Sequence, residues 1–257
     1  MNLATNPMLA NAVALVGWVF AVIGVLAARR EARLRLFGIF AGAYFVFAQA
    51  IAFSISRPDR DMGNLQKILY VHVPTAWMAL SAAGVIFLAS VMYLWKREER
   101  YDRIALSAAE AGTVLSALTL VQGMIWGKPT WGVWWAWDPR LTTMAVQLVM
   151  FVGYLSLRSF TEDEERRARW SAAVGILGFL NANIVYMSVR WWRTLHQIQS
   201  TPSTVATEYV LGLRLNAFAL LFLLITFIGM RYHIARTERE AESILEEQAL
   251  RGGTVHV

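Results

Sequence analysis

Two features of the sequence combine residue types suited to ligand chemistry: a dense tryptophan segment and a pair of histidines. The segment WGKPTWGVWWAWDPRLT, Trp126–Thr142, has five tryptophans within twelve residues, followed by Asp138 and Arg140. The histidines, His72 and His196, stand in YVHVPTAW and WWRTLHQ. Tryptophan rings stack on flat groups, and neutral imidazole is the most common transition-metal ligand. Together these residues favour a flat ligand that carries a metal.

A heme matches this combination, because it is a broad apolar ring with a central iron and two carboxylates. Two imidazoles on opposite sides of the ring can bind the iron axially. Four cations near the same segments can pair with the carboxylates: Lys128, Arg140, Arg190 and Arg193. Quinones would also stack on tryptophan but would not need two histidines. The alternative is that the tryptophans anchor a loop at a membrane interface and the histidines are structural.

The spacing within the tryptophan segment predicts a short surface helix after Gly132. On that helix one face would present an aromatic shelf with a carboxylate at its end. The shared face comprises Trp131, Trp134, Trp135 and Asp138, while Trp137 points elsewhere. Pro139 is expected to end the helix, and Gly127, Pro129 and Gly132 to form a turn before it.

The composition of the chain indicates a membrane protein. Hydrophobic residues make up 57% of the 257 residues and charged residues only 16%, where a soluble domain usually carries about a quarter. Mean hydropathy is +0.43. Seven apolar segments reach or approach the roughly 20 residues of a membrane-spanning helix. They are Met8–Ala28, Leu36–Ser56, His72–Trp95, Ile104–Trp126, Leu141–Leu157, Trp170–Trp192 and Leu211–Met230.

These segments predict an all-α integral membrane protein, a polytopic transmembrane helix bundle. Apolar residues run continuously in them and do not alternate as in strands, and a helix satisfies its own backbone in lipid. The chain has no cysteine, which excludes a disulfide framework, a thiolate metal site and covalently attached heme. It has no glycine-rich phosphate loop either, so we expect no ATPase and no enzymatic activity of its own.

The surplus of six positive charges is explained by membrane topology, and we expect no nucleic-acid partner. Arginine-rich groups follow the first, third, fifth and seventh apolar segments, and fewer cations lie in the other connections. The positive-inside rule places the arginine-rich groups in the cytoplasm. The N-terminus is then outside, the C-terminus inside, and the tryptophan segment and both histidines lie on the outer face.

The quoted segments resemble the heme-handling protein family of cytochrome c maturation. WGVWWAWDPRLT is similar to the family's tryptophan-rich outer loop, and VHVPTAW and WWRTLHQ are similar to its two flanking histidine segments. The resemblance covers Leu36 to Arg231, with the three segments in the family's order. The family has six helices, so Met8–Ala28 would be an extra N-terminal helix.

The resemblance implies a site for heme b on the periplasmic face of the bacterial cytoplasmic (inner) membrane. His72 and His196 would be the axial ligands of the heme iron. The heme-binding platform would comprise Trp126, Trp131, Trp134, Trp135, Trp137, Asp138 and Arg140. The heme would pass to a periplasmic heme chaperone, maturation protein E. Further implied partners are the ABC-type maturation proteins A and B and a small membrane protein, maturation protein D.

The resulting hypothesis divides the chain into three parts: residues 1–35 as the extra helix and a cytoplasmic loop, 36–231 as the heme-handling domain, and 232–257 as a cytoplasmic tail. Alternative functions are transport of heme across the membrane, a later synthetase-type heme-delivery subunit, or a structural subunit with an aromatic belt. A transport path would be expected to carry polar groups near the midplane. Glu110, near the cytoplasmic end, is expected to snorkel or to pair with a neighbour, with a role in heme entry as the alternative.

Overall fold

The computed structural model describes residues 3–198 and 204–252, and within these the chain forms seven α-helices and no β-strand. All seven are long and apolar enough to cross a membrane, so the prediction of a multi-pass all-α membrane protein is confirmed. The helices are α1 (Pro7–Ala27), α2 (Glu31–Ile55), α3 (Leu69–Lys96), α4 (Glu99–Trp131), α5 (Pro139–Phe160), α6 (Glu164–Trp191) and α7 (Thr207–Gly252).

Helix α3 lies at the centre of the bundle, in contact with α4, α6 and α7. Small residues make this close packing possible, because helices in lipid associate through van der Waals contact and not through the hydrophobic effect. Ala82 and Ala108 are completely buried. A Cβ at Gly112 would lie 2.9 Å from the Phe151 ring, and one at Gly175 would lie 2.7 Å from Ile86. The core therefore depends on small side chains at the helix contacts.

The extra helix α1 packs mainly on α7 and to a lesser extent on α2. Gly17 lies against the ring of Phe218, where a Cβ would approach to 2.5 Å. The opposite face of α1 exposes large apolar side chains, among them Leu15, Val19 and Val22. An apolar helix face of this kind suits contact with lipid, so α1 is an outer helix of the bundle.

Ion pairs join the helices at the end of the bundle opposite the tryptophan segment. The Arg158 guanidinium donates to both carboxylate oxygens of Asp102, at 2.6 and 2.8 Å. Arg231 on α7 pairs with Glu110 on α4, which confirms the expected partner for that carboxylate. Helix α7 continues beyond the bundle to Gly252. Residues 253–257, the end of the predicted cytoplasmic tail, lie outside the described residues.

Candidate functional site

The candidate site is a partly open cavity at the end of the bundle where α3 begins, α4 ends, α5 begins and α6 ends. We call this end the tryptophan end, after Trp126–Thr142. Both histidines line the cavity, His72 from the first turns of α3 and His196 from the loop after α6. The cavity lining also includes Arg140 from α5. Elements far apart in the sequence thus bring His72, His196 and Arg140 to one pocket.

The imidazole of His72 is held tightly in the wall of the cavity. His72 is only 7% exposed. Its imidazole lies edge-on to the Trp126 ring, with 5.7 Å between the ring centroids. Gly123 on α4 makes room for it, because a Cβ there would lie 3.2 Å from the imidazole Cε1 atom. In the described part of the chain, the buried Nδ1 atom of His72 has no hydrogen-bond partner. Packing against Trp126 and Gly123, and not a hydrogen bond to Nδ1, therefore holds this ring in place.

The imidazole of His196 is half-buried and faces the same cavity. Its Nδ1 atom lies 3.1 Å from the Gln197 carbonyl oxygen, so a proton on Nδ1 donates to that carbonyl and leaves Nε2 free as a ligand atom. Desolvation, together with the positive charge of Arg140, lowers the pKa of His196 to about 4. The ring is therefore neutral near pH 7, which is the form that binds metals.

The two imidazole rings lie close together, at a centroid separation compatible with a shared metal. Their centroids are 6.4 Å apart and their planes are 30° from parallel. Two imidazole nitrogens, each about 2 Å from a metal between them, place the ring centroids about 6 Å apart. No group of three metal-ligating side chains occurs elsewhere in the described residues. The pair therefore fits a metal whose other ligands come from outside the protein, as the porphyrin nitrogens of heme do.

The predicted helix after Gly132 is wrong. Helix α4 instead continues through Gly127 and Pro129 to Trp131, so these two residues do not form a turn. Gly132, with φ at 78°, ends α4 in the left-handed conformation that glycine adopts without strain. The following residues are non-helical up to Asp138, which is the N-cap of α5. Pro139 begins that helix and does not end one, because its fixed φ suits the first helical position.

This backbone divides the tryptophans differently from the predicted shelf. Trp126, Trp131 and Trp135 line the cavity, and Trp131 lies edge-on to His196 with 6.1 Å between ring centroids. Trp134 does not line the cavity and is 55% exposed, so its predicted place on the shared face is wrong. Trp137 is 83% exposed and does not line the cavity either, although the platform implied by the resemblance included both of these rings.

Asp138 is buried and connects the tryptophan segment to the histidine loop. One carboxylate oxygen accepts from the Arg140 backbone N–H at 2.9 Å, which caps α5. The other accepts from the Thr194 hydroxyl at 2.6 Å and from the Leu195 N–H at 2.7 Å. Burial alone would raise the pKa of Asp138, but the hydrogen bonds from Thr194, Leu195 and Arg140 outweigh it and hold that pKa below its ordinary value.

Arg140 is the one cation among the described residues that line the cavity. The Lys128 ammonium instead donates to the Gly132 carbonyl at 2.9 Å, and Arg190 and Arg193 lie outside the lining. Sequence reasoning missed Gly123 and the loop residue Met62, which also line the cavity. Glycine and methionine do not by themselves indicate contact with a ligand in a sequence. Only the tertiary packing brings these two residues to the cavity.

Comparison with known proteins identifies close sequence relatives. A family model described as heme exporter protein C matches residues 23–245, from the end of α1 into α7. The heme exporter protein C of Bradyrhizobium diazoefficiens is 34% identical over 204 residues, 77% of each chain. The heme exporter protein C of Escherichia coli strain K12 is 36% identical over 146 residues, 56% of this chain and 59% of the relative. A putative cytochrome c biosynthesis ccmC-like mitochondrial protein of Marchantia polymorpha is 36% identical over 160 residues, 61% and 67% of the two chains.

Proposed function

The chain belongs to the heme exporter protein C family, and we propose that it binds heme b between His72 and His196 and presents it to a periplasmic heme chaperone. In this proposal heme is the cargo and not a resident cofactor. The observation that carries it is the 6.4 Å separation of the two imidazole centroids across a cavity lined by tryptophan. Two imidazoles at that separation favour a metal-bearing ligand over a quinone, which needs no such pair.

Different cavity residues would contact the iron, the ring and the propionates of heme. His72 and His196 bind the iron from opposite sides. Trp126, Trp131 and Trp135 contact the ring, for which indole is a good apolar partner. Arg140 pairs with a propionate, because a guanidinium binds carboxylates through strong, charge-assisted hydrogen bonds.

The floor of the cavity supports presentation at one face over transport through the bundle. Met144 and Val185 line the cavity and pack with Ala79 in a buried apolar cluster. Below them, the side-chain amide of Asn181 donates to the Gln147 side chain at 2.9 Å, so these midplane polar groups bond to each other. A packed apolar floor at this depth favours a site that opens at one face over a path through the bundle.

We place the site on the periplasmic face of the bacterial inner membrane, with maturation protein E as the recipient. The arginine-rich connections at the opposite end support this orientation through the positive-inside rule. The proposed partners in the membrane are the ABC-type maturation proteins A and B and the small maturation protein D. The absence of a phosphate-binding loop from the sequence is consistent with ATP hydrolysis residing in such a partner.

The first experiment tests ligation in the purified protein. Wild type is expected to carry low-spin heme with two imidazole ligands, and His72→Ala and His196→Ala to lose heme or shift its Soret band. His233→Gln is the matched control, because His233 lies at the opposite end of the bundle, with its Nε2 atom 2.9 Å from the Ala28 carbonyl oxygen. Unchanged spectra and heme content in both alanine variants would refute the ligand assignment.

The second experiment separates presentation from transport. Heme-loaded protein in vesicles is mixed with purified chaperone on the outside, and the chaperone's heme content is followed. Presentation predicts transfer from pre-loaded protein with no heme supplied from the vesicle lumen. Transfer only when heme is enclosed in the lumen would favour the transporter.

A further inference from the structure

We propose that Asp138 is a positioning residue for the heme ligand His196, which it aligns by fixing the loop that follows α6. The proposal rests on the proposed function, because it takes His196 to be an axial ligand. In this role the Asp138 carboxylate affects binding of the iron through His196 and does not need to contact heme.

The loop after α6 has little regular structure of its own to hold the imidazole in place. Helix α6 ends at Trp191, and residues 192–198 are not helical. The side chain of Leu195, next to His196, is 54% exposed. A metal ligand on such a segment needs bonds to a rigid element, because metal binding depends on the orientation of the ring.

The Asp138 carboxylate supplies those bonds from the rigid start of α5. It accepts from the Thr194 hydroxyl at 2.6 Å and from the Leu195 backbone N–H at 2.7 Å. The chain of bonds continues to the ligand, since the His196 backbone N–H donates to the Thr194 hydroxyl oxygen at 3.0 Å. Three consecutive residues are thus tied to one buried carboxylate, which is 6% exposed.

Both oxygens of the Asp138 carboxylate accept hydrogen bonds, so this position calls for a side chain with two acceptor oxygens. One oxygen caps α5 through the Arg140 N–H, and the other holds the loop through Thr194 and Leu195. An asparagine has one acceptor oxygen, so it can cap the helix or bind the loop but not both. In Asp138→Asn the amide NH2 would face either the donors of the loop or the N–H of the helix.

The chain offers matched variants that separate the loop bonds from the helix cap. Thr194→Val removes the hydroxyl and leaves the cap intact, while Thr194→Ser keeps the hydroxyl. Asp163 caps α6 at the opposite end, where its carboxylate accepts from the Arg166 N–H at 2.6 Å. Asp163→Asn therefore alters a comparable cap without any histidine loop, and Thr161→Val repeats the threonine change at the far end of α5.

The first measurement is amide hydrogen exchange of residues 192–198 in the heme-free, full-length protein. Asp138→Asn and Thr194→Val should exchange about tenfold faster or more, as expected for the loss of a hydrogen bond to a charged group. Thr194→Ser, Asp163→Asn and Thr161→Val should exchange like wild type. Unchanged exchange in Asp138→Asn and Thr194→Val would overturn the proposal without reference to heme.

The second measurement is the electron paramagnetic resonance spectrum of the same proteins loaded with hemin. Asp138→Asn and Thr194→Val should shift part of the signal toward that of His196→Ala, and added imidazole should restore the low-spin form. Faster exchange with a wild-type heme signal would overturn the positioning role and leave the proposed function standing. A His196→Ala signal equal to wild type would overturn the ligand assignment, and the positioning role with it.

Discussion

The guanidinium of Arg140 lies in the cavity at the tryptophan end, with its Nη1 atom 3.4 Å from the carbonyl oxygen of Val185. The carboxylate of Asp138, two residues earlier, does not neutralise it directly, because its oxygens bond to the Arg140 backbone and to the histidine loop. Arg140 thus brings a positive charge to a pocket walled by tryptophan and imidazole. A cation in that position is available to an anionic group of the ligand.

Replacement of Arg140 with glutamine should weaken heme binding. A charge-assisted hydrogen bond contributes about 1.5–3 kcal/mol, so we expect at least a tenfold loss of affinity, with a smaller loss in Arg140→Lys. The decisive measurement is a titration with hemin and with hemin whose propionates are esterified. Wild type should bind the ester as weakly as Arg140→Gln binds hemin, and the variant should not distinguish the two. Equal discrimination by wild type and variant would exclude Arg140 as the propionate partner.

Substitution of the tryptophans should have two different effects, depending on whether the ring lines the cavity. Spacing along the sequence should not decide the effect. Alanine at Trp131 or Trp135 removes an aromatic contact of about 1 kcal/mol per ring and should lower the heme content of the protein. Alanine at Trp134 or Trp137 should leave heme in place and slow its transfer to the chaperone, because these rings face outward. Heme content of both proteins is measured for each variant. An equal loss for all four tryptophans would reduce the segment to a fold element.

The topology can be tested by single-cysteine labelling, since the chain has no cysteine of its own. Met8→Cys and Asn64→Cys should react with an impermeant thiol reagent from the periplasmic side, while Ala32→Cys and Glu162→Cys should react only after the membrane is permeabilised. All four positions are exposed. Protection of position 8 together with labelling of position 64 would show that α1 does not cross the membrane.

The ion pair between Asp102 and Arg158 should matter for stability and not for the heme site. Both side chains are largely buried, 16% and 12% exposed, and removal of one partner of such a pair costs about 3 kcal/mol. Asp102→Asn should therefore lower the thermal midpoint in detergent, and Asp102→Asn combined with Arg158→Met should recover part of the loss. The Soret band of the folded fraction should match that of wild type. A shifted Soret band would instead show that the ion pair affects the heme site at the other end of the bundle.

The lowered pKa of Asp138 predicts how the histidine loop responds to acid. A carboxyl group with a depressed folded pKa contributes stability that is fully present above its ordinary pKa, which is about 3.9, and is lost as the pH falls through the lower folded value. Hydrogen exchange at Leu195, corrected for its intrinsic pH dependence, should therefore be constant from about pH 7 to about pH 5. A rise in exchange within that range would mean that Asp138 titrates at or above its ordinary pKa.

Residue types and their order along the chain were enough to predict the class of the fold and the chemical character of the site. Long apolar runs such as Met8–Ala28 have few stable forms in lipid other than helices, so seven spans could be predicted from composition alone. Tryptophan stacks on flat groups, imidazole binds metals and guanidinium binds carboxylates, so these residue types together indicated a flat, metal-bearing, anionic ligand. These inferences depend only on the chemistry of the individual side chains and of short segments of the chain.

Which of these side chains meet could be learned only from the packed helices. Trp134 and Trp135 are neighbours in the sequence, yet the non-helical backbone after Gly132 directs one outward and the other into the cavity. The bond between Asp138 and Thr194 spans two elements and leaves no periodic signal. The same is true of Gly123, which matters because a ring from another helix occupies the space beside it. Contacts of this kind depend on the packing of whole helices, and neither the spacing nor the type of a residue specifies that packing.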